Sequence, residues 1–316
     1  MHKVVVAVDS FSDQHIELIQ QATRGWAYFA RIEQGLSEQH YRQALQGATV
    51  LIGWPQPHLV ADSSIQLLQL ASVGYEDYLN LGLGSKAEFR ACNLGRVLCL
   101  PIAEHVMAMI YCLARGLQQH ARDMPERRWQ RLPCYPEVTD STICIVGVGG
   151  IGTEVAHRCK GVGMRVLGVG RHPERMPANL LDGAYAWDNM AEAFAQSDHV
   201  MLSFPATSDN ANMFDAALFN TFKRGAILYN VGRGSVVNET DLVEALRSGQ
   251  LGGAGLDVFQ HEPLPPEHPL WAMDNVLVTP HSAGRSVREF DRICGLFVDN
   301  LQRFRDGRPL LNPIEL

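Results

Sequence analysis

Paired cysteines are missing from this chain. Its seven cysteines are scattered and none forms a CxxC pair, which argues against a zinc site or a disulfide framework and for a reducing compartment. No metal is expected. A long apolar run is missing too. The longest, around residues 103–113, contains Glu104 and His105 and falls short of the roughly 20 residues a membrane helix needs. Positive charge is not in excess: 27 Lys and Arg stand against 34 Asp and Glu, a formal −7. That balance argues against nucleic acid as the main partner, yet a small anion can still be held by a locally positive site. Repeats and low-complexity tracts are absent. The first residues, Met1-His2-Lys3-Val4-Val5-Val6-Ala7-Val8-Asp9, form a short β-branched run rather than a signal peptide. The expectation is a soluble cytoplasmic protein without a membrane segment.

What is present is a β/α alternation. The 316 residues, 46% of them hydrophobic, suit two domains of ordinary size. Apolar runs predict strands at 4–8, 48–53 and 67–72, and a helix at 13–23. A helix from Pro101 to Arg115 follows, with the proline at its start. Residues 123–140, rich in Pro, Arg and Trp, read as a connecting loop. A second series predicts strands at 142–147, 165–169, 199–203, 226–230, 253–257 and 276–279. Helices at 151–161, 189–196, 214–219 and 239–248 fit between them. A last helix at 287–304 stops at Gly307-Arg308-Pro309. This pattern implies an α/β protein with parallel sheets covered by helices.

Gly147-Val148-Gly149-Gly150-Ile151-Gly152 places Gly147, Gly149 and Gly152 in GxGxxG register after an apolar strand and at the start of a helix. In a dinucleotide fold these glycines allow a tight turn, backbone approach to the pyrophosphate, and close helix packing. The helix N-terminus adds free N–H groups and partial positive charge. Many NAD enzymes of this kind carry an acid at the end of the next strand, for the ribose 2′-hydroxyl. Here the strand ends in Gly170-Arg171-His172-Pro173. Arg171 and His172 suit a 2′-phosphate, which an acid would repel. NADP(H) is therefore the expected cofactor. NAD(H) stays open, with Arg171 stacking on adenine.

Three residues follow consecutive strand patterns downstream. Arg233, in the turn Asn230-Val231-Gly232-Arg233-Gly234, can bind a carboxylate through two parallel hydrogen bonds and polarise a carbonyl. His281, after Thr279-Pro280, suits proton delivery near neutrality. Glu262 would orient its ring, and His261 is a rival for the histidine's role. Asp257 ends another strand and suits a hydrogen bond to a nicotinamide carboxamide. Together these parts can grip a carboxylate, deliver a proton and deliver a hydride, as a 2-hydroxyacid dehydrogenase running as a 2-oxoacid reductase does.

The ordered motifs resemble the D-isomer-specific 2-hydroxyacid dehydrogenase family along nearly the whole chain. They include Ala71-Ser72-Val73-Gly74-Tyr75, Ala103-Glu104-His105-Val106, the glycine fingerprint, Phe204-Pro205-Ala206-Thr207, Asn230 to Gly234, Asp257-Val258-Phe259, Glu262-Pro263-Leu264-Pro265 and Thr279-Pro280-His281. The resemblance implies two Rossmann-like or flavodoxin-like parallel-sheet domains with a cleft between them. The substrate domain would comprise 1–100 plus 285–316, and the dinucleotide domain 101–284. It implies catalytic Arg233, Glu262 and His281, and a substrate carboxylate bound by Arg233 and the Val73 and Gly74 backbone. The cofactor would touch residues 147–152, Arg171, His172, Phe204, Pro205, Val231, Gly232, Arg233, Asp257, His281 and Ala283. It also implies a homodimer and a D-2-hydroxyacid product. Gly170-Arg171, Trp129 to Pro133 and Pro265 to Trp271 resemble the NADPH-using glyoxylate and hydroxypyruvate reductases of the family. Ser282-Ala283-Gly284 and Asn210 depart from the common pattern. Trp54, Tyr75, Leu100 and Trp129 are expected near the substrate side chain. The alternatives are a dinucleotide-binding corepressor or scaffold of the same fold, although no extra tails are evident, and a formate- or phosphite-oxidising relative, although the long N-terminal extension of formate enzymes is absent.

Overall fold

The computed structural model describes residues 1–32, 37–79, 81–86, 88–131 and 136–316. The chain forms two compact units, one of Met1–Leu98 with Ser286–Leu316 and one of Cys99–Arg285. Strands run β1 His2–Ala7, β2 Ala27–Arg31, β3 Val50–Gly53, β4 Leu67–Leu70 and β5 Arg90–Cys92 in the first unit. The second holds β6 Thr142–Val146, β7 Arg165–Gly170, β8 Gly183–Ala186, β9 His199–Leu202, β10 Ala226–Asn230, β11 Leu251–Leu256 and β12 Val276–Val278, and β13 Pro313–Ile314 returns to the first. The helices are α1 Asp13–Thr23, α2 Glu38–Leu45, α3 Pro57–Ala61, α4 Cys99–Ala114, α5 Leu117–Asp123, α6 Gly150–Gly161, α7 Met190–Phe194, α8 Ala216–Phe219, α9 Glu239–Arg247 and α10 Glu289–Arg305.

The first unit is a sheet of order β13-β5-β4-β3-β1-β2. Val4, Val5 and Val6 are all fully buried, so both faces of β1 are covered, as a central parallel strand requires. α1 starts at Ser12, whose Oγ accepts the His15 N–H while His15 Nδ1 meets the Ser12 N–H, a reciprocal cap. α10 buries Ile293, Cys294, Leu296, Phe297 and Leu301 against the core that also holds Phe11, Ile16 and Ile19. The sheet is not wholly parallel. β13 pairs antiparallel with β5, Pro313 opposite Cys92, because the chain returns directly from α10 instead of crossing over through another helix.

The second unit is a parallel sheet of order β12-β11-β10-β9-β6-β7-β8. β6 and β9 are neighbours, and the chain runs outward from them in opposite directions. The C-terminal edge between them is therefore the switch point where such sheets take ligands. Edge strands β2 and β8 were not legible as apolar runs: their residues are mostly half-buried, so neither carries the continuous signal of a central strand. α4 begins at Cys99, two residues before Pro101. Proline is tolerated there because a first-turn N–H has no partner within the helix. α5 precedes the predicted loop and ends at its first residue, Asp123, and Trp129 beyond that is 98% exposed. Pro133, part of the reductase-like segment, lies outside the described residues. Among the described residues no single helix is long and apolar enough to cross a membrane. The α4–α5 pair bends by 71°, and α4 buries Ala103, Val106, Met109 and Ile110 inside its unit. Burial pushes the Cys92 and Cys159 thiols up to about 12, so neither is a nucleophile at neutral pH.

His199, at the start of β9, is 2% exposed and its Nδ1 lies 3.1 Å from the Tyr229 hydroxyl. Burial lowers it from 6.5 to about 4. The ring stays neutral in the folded chain and charges on unfolding. Its contribution is present above the unfolded value and is lost as pH falls through the folded one, by up to about 3 kcal/mol. Urea unfolding at pH 7 and near pH 4 should show His199→Asn losing less stability over that interval than the native protein. Equal losses would mean that the ring charges inside the fold.

Candidate active site

The glycine fingerprint follows β6, whose five residues are all buried. Gly147 has φ +91°, and its N–H donates to Val169 O at 2.9 Å. A Cβ there would lie 2.9 Å from Phe204 Cβ, so the loops after β6 and β9 meet at the switch point. A Cβ on Gly152 would overlap Gly147 O, whereas one on Gly149 would meet nothing. Gly149 caps α6 with no side-chain hydrogen bond. Gly150 and Ile151 form the first turn, with N–H groups unpaired within the helix. The open space over Gly149 is a cradle that fits a pyrophosphate.

A cavity of about 300 Å³ continues past β7, lined by Val148, Arg171, His172, Arg175, Trp187 and Phe204 among others. Arg175 was missed in the sequence. The single turn Pro173–Arg175 brings it back beside Arg171, and the only sequence signal was a second basic residue four positions on. Glu174 Oε1 lies 3.4 Å from His172 Nδ1 and 3.8 Å from Arg175 Nε. Trp187 meets Phe204 edge to face at 5.1 Å. Pro205, also in the lining, is held by Asn210, whose Nδ2 donates to its carbonyl at 3.0 Å while Oδ1 accepts the Thr207 N–H at 2.8 Å. The departure at Asn210 thus closes this turn. Three cationic or protonatable side chains around an apolar slot fit the phosphorylated adenosine end of a dinucleotide.

Strands β10, β11 and β12 are adjacent, with Asn230 beside Leu256 and Leu256 beside Val278. Their parallel register delivers the following three loops to one edge. Val231 and Gly232 are buried, and the Val231 N–H donates to Leu202 O at 3.2 Å. Asn230 Oδ1 accepts the Gly232 N–H at 3.0 Å and its Nδ2 donates to Arg233 O at 2.9 Å. Arg233 Nη1 donates to Gly232 O at 2.8 Å. A side chain at Gly234 would overlap the Phe259 backbone, so the Arg233 turn rests on the loop that carries Glu262.

Glu262 Oε1 accepts the Phe259 N–H at 2.9 Å, and its Oε2 lies 2.7 Å from His281 Nδ1. A carboxylate there makes Nδ1 the protonated nitrogen and leaves Nε2 for exchange. His261, the rival, is exposed, and the contact selects His281. Buried Glu239 braces the same loop: Oε1 accepts the Gln260 N–H at 2.7 Å, and Oε2 lies 3.3 Å from His268 Nε2.

Asp257, expected at the carboxamide, chiefly holds the His281 loop. It is 2% exposed. Oδ1 accepts the Thr279 hydroxyl at 2.6 Å and the Ser282 N–H at 2.8 Å, and Oδ2 accepts the Ala283 N–H at 3.0 Å. That fills three of about four acceptor positions on a carboxylate, leaving one on Oδ2. Ala283, expected at the cofactor, donates its N–H to this carboxylate. In the first unit, Val73 O accepts Asn93 Nδ2 at 2.7 Å and Gly74 O accepts the Ser72 hydroxyl at 2.6 Å. Both carbonyls are thus tied inward. Trp54 is 51% exposed.

A glycine cradle at the switch point, with an acid-paired histidine and an arginine turn on neighbouring strand ends, defines a dinucleotide-dependent oxidoreductase. Comparison with known proteins gives the family. Residues 107–283 match the D-isomer specific 2-hydroxyacid dehydrogenase, NAD binding domain. The glyoxylate reductase of Korarchaeum cryptofilum is 32% identical over 253 residues, covering 78% of this chain and 75% of that one. A family member of known structure from Aeromonas salmonicida superposes with TM-score 0.82 at 30% identity, over 100% of this chain and 99% of that one. The NADPH-dependent glyoxylate/hydroxypyruvate reductase of Sinorhizobium meliloti, solved with NADP and sulfate, gives TM-score 0.84 at 26% identity over 100% and 98%. The chain belongs to the D-isomer specific 2-hydroxyacid dehydrogenase family, and its second unit contains the NAD-binding domain.

The cradle makes two glycines separable. Gly149→Ala should leave the melting temperature nearly unchanged yet weaken NADH and NADPH binding roughly tenfold or more, since its methyl enters the phosphate space. Gly152→Ala should destabilise the unit by about 1–3 kcal/mol through overpacking. Calorimetric titration and thermal melts distinguish them. Unchanged dinucleotide affinity in Gly149→Ala would place the phosphates elsewhere.

Proposed function

We propose that this protein reduces a small 2-oxoacid to the D-2-hydroxyacid with NADPH. The observation that carries the reading is the 2.7 Å His281–Glu262 pair on the strand edge that also bears the Arg233 turn. Arg233 binds the substrate carboxylate and polarises the carbonyl. In the first unit, taken as the substrate domain, the Val73 and Gly74 amides suit a substrate carboxylate. His281, oriented by Glu262, gives its Nε2 proton to the carbonyl oxygen. The residue 147–152 loop holds the pyrophosphate, with Phe204, Pro205, Val231 and Gly232 beside it. The remaining Oδ2 position on Asp257 accepts from the carboxamide. Bound dinucleotide supplies the hydride. Fixed charge and positioning provide most of the rate advantage.

Preference for NADP over NAD rests on three features: no acid at the end of β7, Arg171 and His172 in the cavity wall, and Arg175 beside them. The Sinorhizobium meliloti relative, named as NADPH-dependent, supports it. Relatives named as glyoxylate and hydroxypyruvate reductases favour glyoxylate and hydroxypyruvate as first substrates to try. A cytoplasmic homodimer completes the proposal.

A panel of glyoxylate, hydroxypyruvate and phenylpyruvate with NADPH and NADH tests the reading. Turnover with none of them would favour a dinucleotide-binding scaffold. Arg233→Ala should lower kcat/KM by roughly 3–4 kcal/mol. His281→Ala should abolish most turnover while leaving NADPH affinity intact, and a loss of affinity would make it a structural histidine. Arg171→Ala and Arg175→Ala should each raise KM for NADPH about tenfold more than for NADH, since one charge-assisted contact to the phosphate is removed. Equal changes would remove them from the phosphate site.

A further inference from the structure

Helix α4 carries a histidine that the scheme above leaves without a role. The His105 side chain is 24% exposed, and its Nε2 lies 3.1 Å from Thr279 Oγ1 and 3.9 Å from Asp257 Oδ1. The direction of these bonds follows from counting protons. Both Asp257 oxygens already accept backbone N–H groups, so Asp257 is the acceptor in its 2.6 Å contact with Thr279 Oγ1. A hydroxyl has one proton, and here it is committed to Asp257. Thr279 Oγ1 must then accept from His105, and Nε2 of His105 carries a hydrogen. A one-way chain results, from His105 to Thr279 to Asp257.

The loop at the end of that chain is not relaxed. His281 has φ +49°, a left-handed conformation that costs a residue with a side chain about 1–2 kcal/mol. Such conformations persist where the surroundings over-determine them. Here the His281 N–H donates to Asp257 O at 2.9 Å and to Thr279 O at 3.1 Å. Ser282 and Ala283 are held by the Asp257 carboxylate from the other side. β12 has only three residues, two of them half-buried, so the strand itself anchors the loop weakly. α4 is a sixteen-residue helix with a buried face, and it packs on α6 and β11.

We propose that His105 is a positioning residue of the active site, anchoring the His281 loop to α4 through Thr279 and Asp257. The claim rests on the reductase reading for its effect on rate, but not for its structural content. Four variants test it: His105→Leu, Thr279→Val, the pair combined, and His105→Gln, whose amide nitrogen donates from near the position of Nε2. The first readout is the His281 ring proton resonance in the dinucleotide-free protein, assigned by its loss in His281→Ala. It should move in His105→Leu and Thr279→Val and return toward the native position in His105→Gln. The second readout is steady-state kinetics with glyoxylate and NADPH. The kcat should fall roughly 10- to 100-fold in His105→Leu, as expected for a displaced catalytic group. KM for NADPH should change less than about threefold, the signature of a transition-state effect. The double variant should be no slower than the slower single one, because both break one chain. An unmoved His281 resonance in His105→Leu, additive losses in the pair, or a His105→Gln variant as impaired as His105→Leu would each overturn the proposal. If the native protein reduces none of the 2-oxoacids, the reductase reading fails, and the resonance alone decides the role of His105.

Discussion

Parallel pairing of β10, β11 and β12 holds Asn230, Leu256 and Val278 side by side. Every candidate catalytic residue leaves the sheet just beyond that row. Backbone hydrogen bonds fix the register, and a slip by one residue would turn each following loop to the opposite face. Central burial makes the register costly to change: Leu228, Ala254 and Leu256 are 0%, 0% and 2% exposed. The site's precision thus begins in apolar packing, well before any charge is considered.

Charge is then distributed over loops that brace one another. Glu262 holds its own loop through the Phe259 N–H and His281 through Nδ1. Glu239 holds the neighbouring amide of Gln260. Asp257 gathers Thr279, Ser282 and Ala283. Each carboxylate meets a backbone N–H as well as a side chain, so its position is set by the main chain and not by a flexible partner alone. Groups fixed in this way need little reorganisation when charge develops during a reaction. Along the same edge, the glycines achieve a comparable result by omission. Gly152 and Gly234 let backbones touch, while Gly149 leaves space unfilled.

Much of this was legible in the amino-acid order, for identifiable reasons. Central strands such as β1 and β6 carry the buried apolar runs Val4–Val6 and Ile143–Val146 because both faces are covered there, and these appear as unbroken runs. The fingerprint glycines are readable because each answers a steric need at a set spacing. Edge strands β2 and β8 and the short β13 carry too little apolar signal to be read. Arg175 escaped notice because a single turn, not a periodic element, returns it to the cavity. His281 was preferred to His261 as partner of Glu262 for its place at a strand end, not for any contact visible in the sequence. Adjacent residues in a loop point in different directions, and only the folded loop shows which ring lies 2.7 Å away.

The sequence by itself determined the alternation of strands and helices, the dinucleotide cradle and the family, since these depend on local sterics and on residue types at short spacing. Tertiary structure alone decided that Asp257 secures the His281 loop, that Asn210 closes the turn after Phe204, and that His105 reaches Thr279 from 174 positions away. Such contacts link elements distant along the chain. They arise from how helices settle on a sheet, which no local preference encodes.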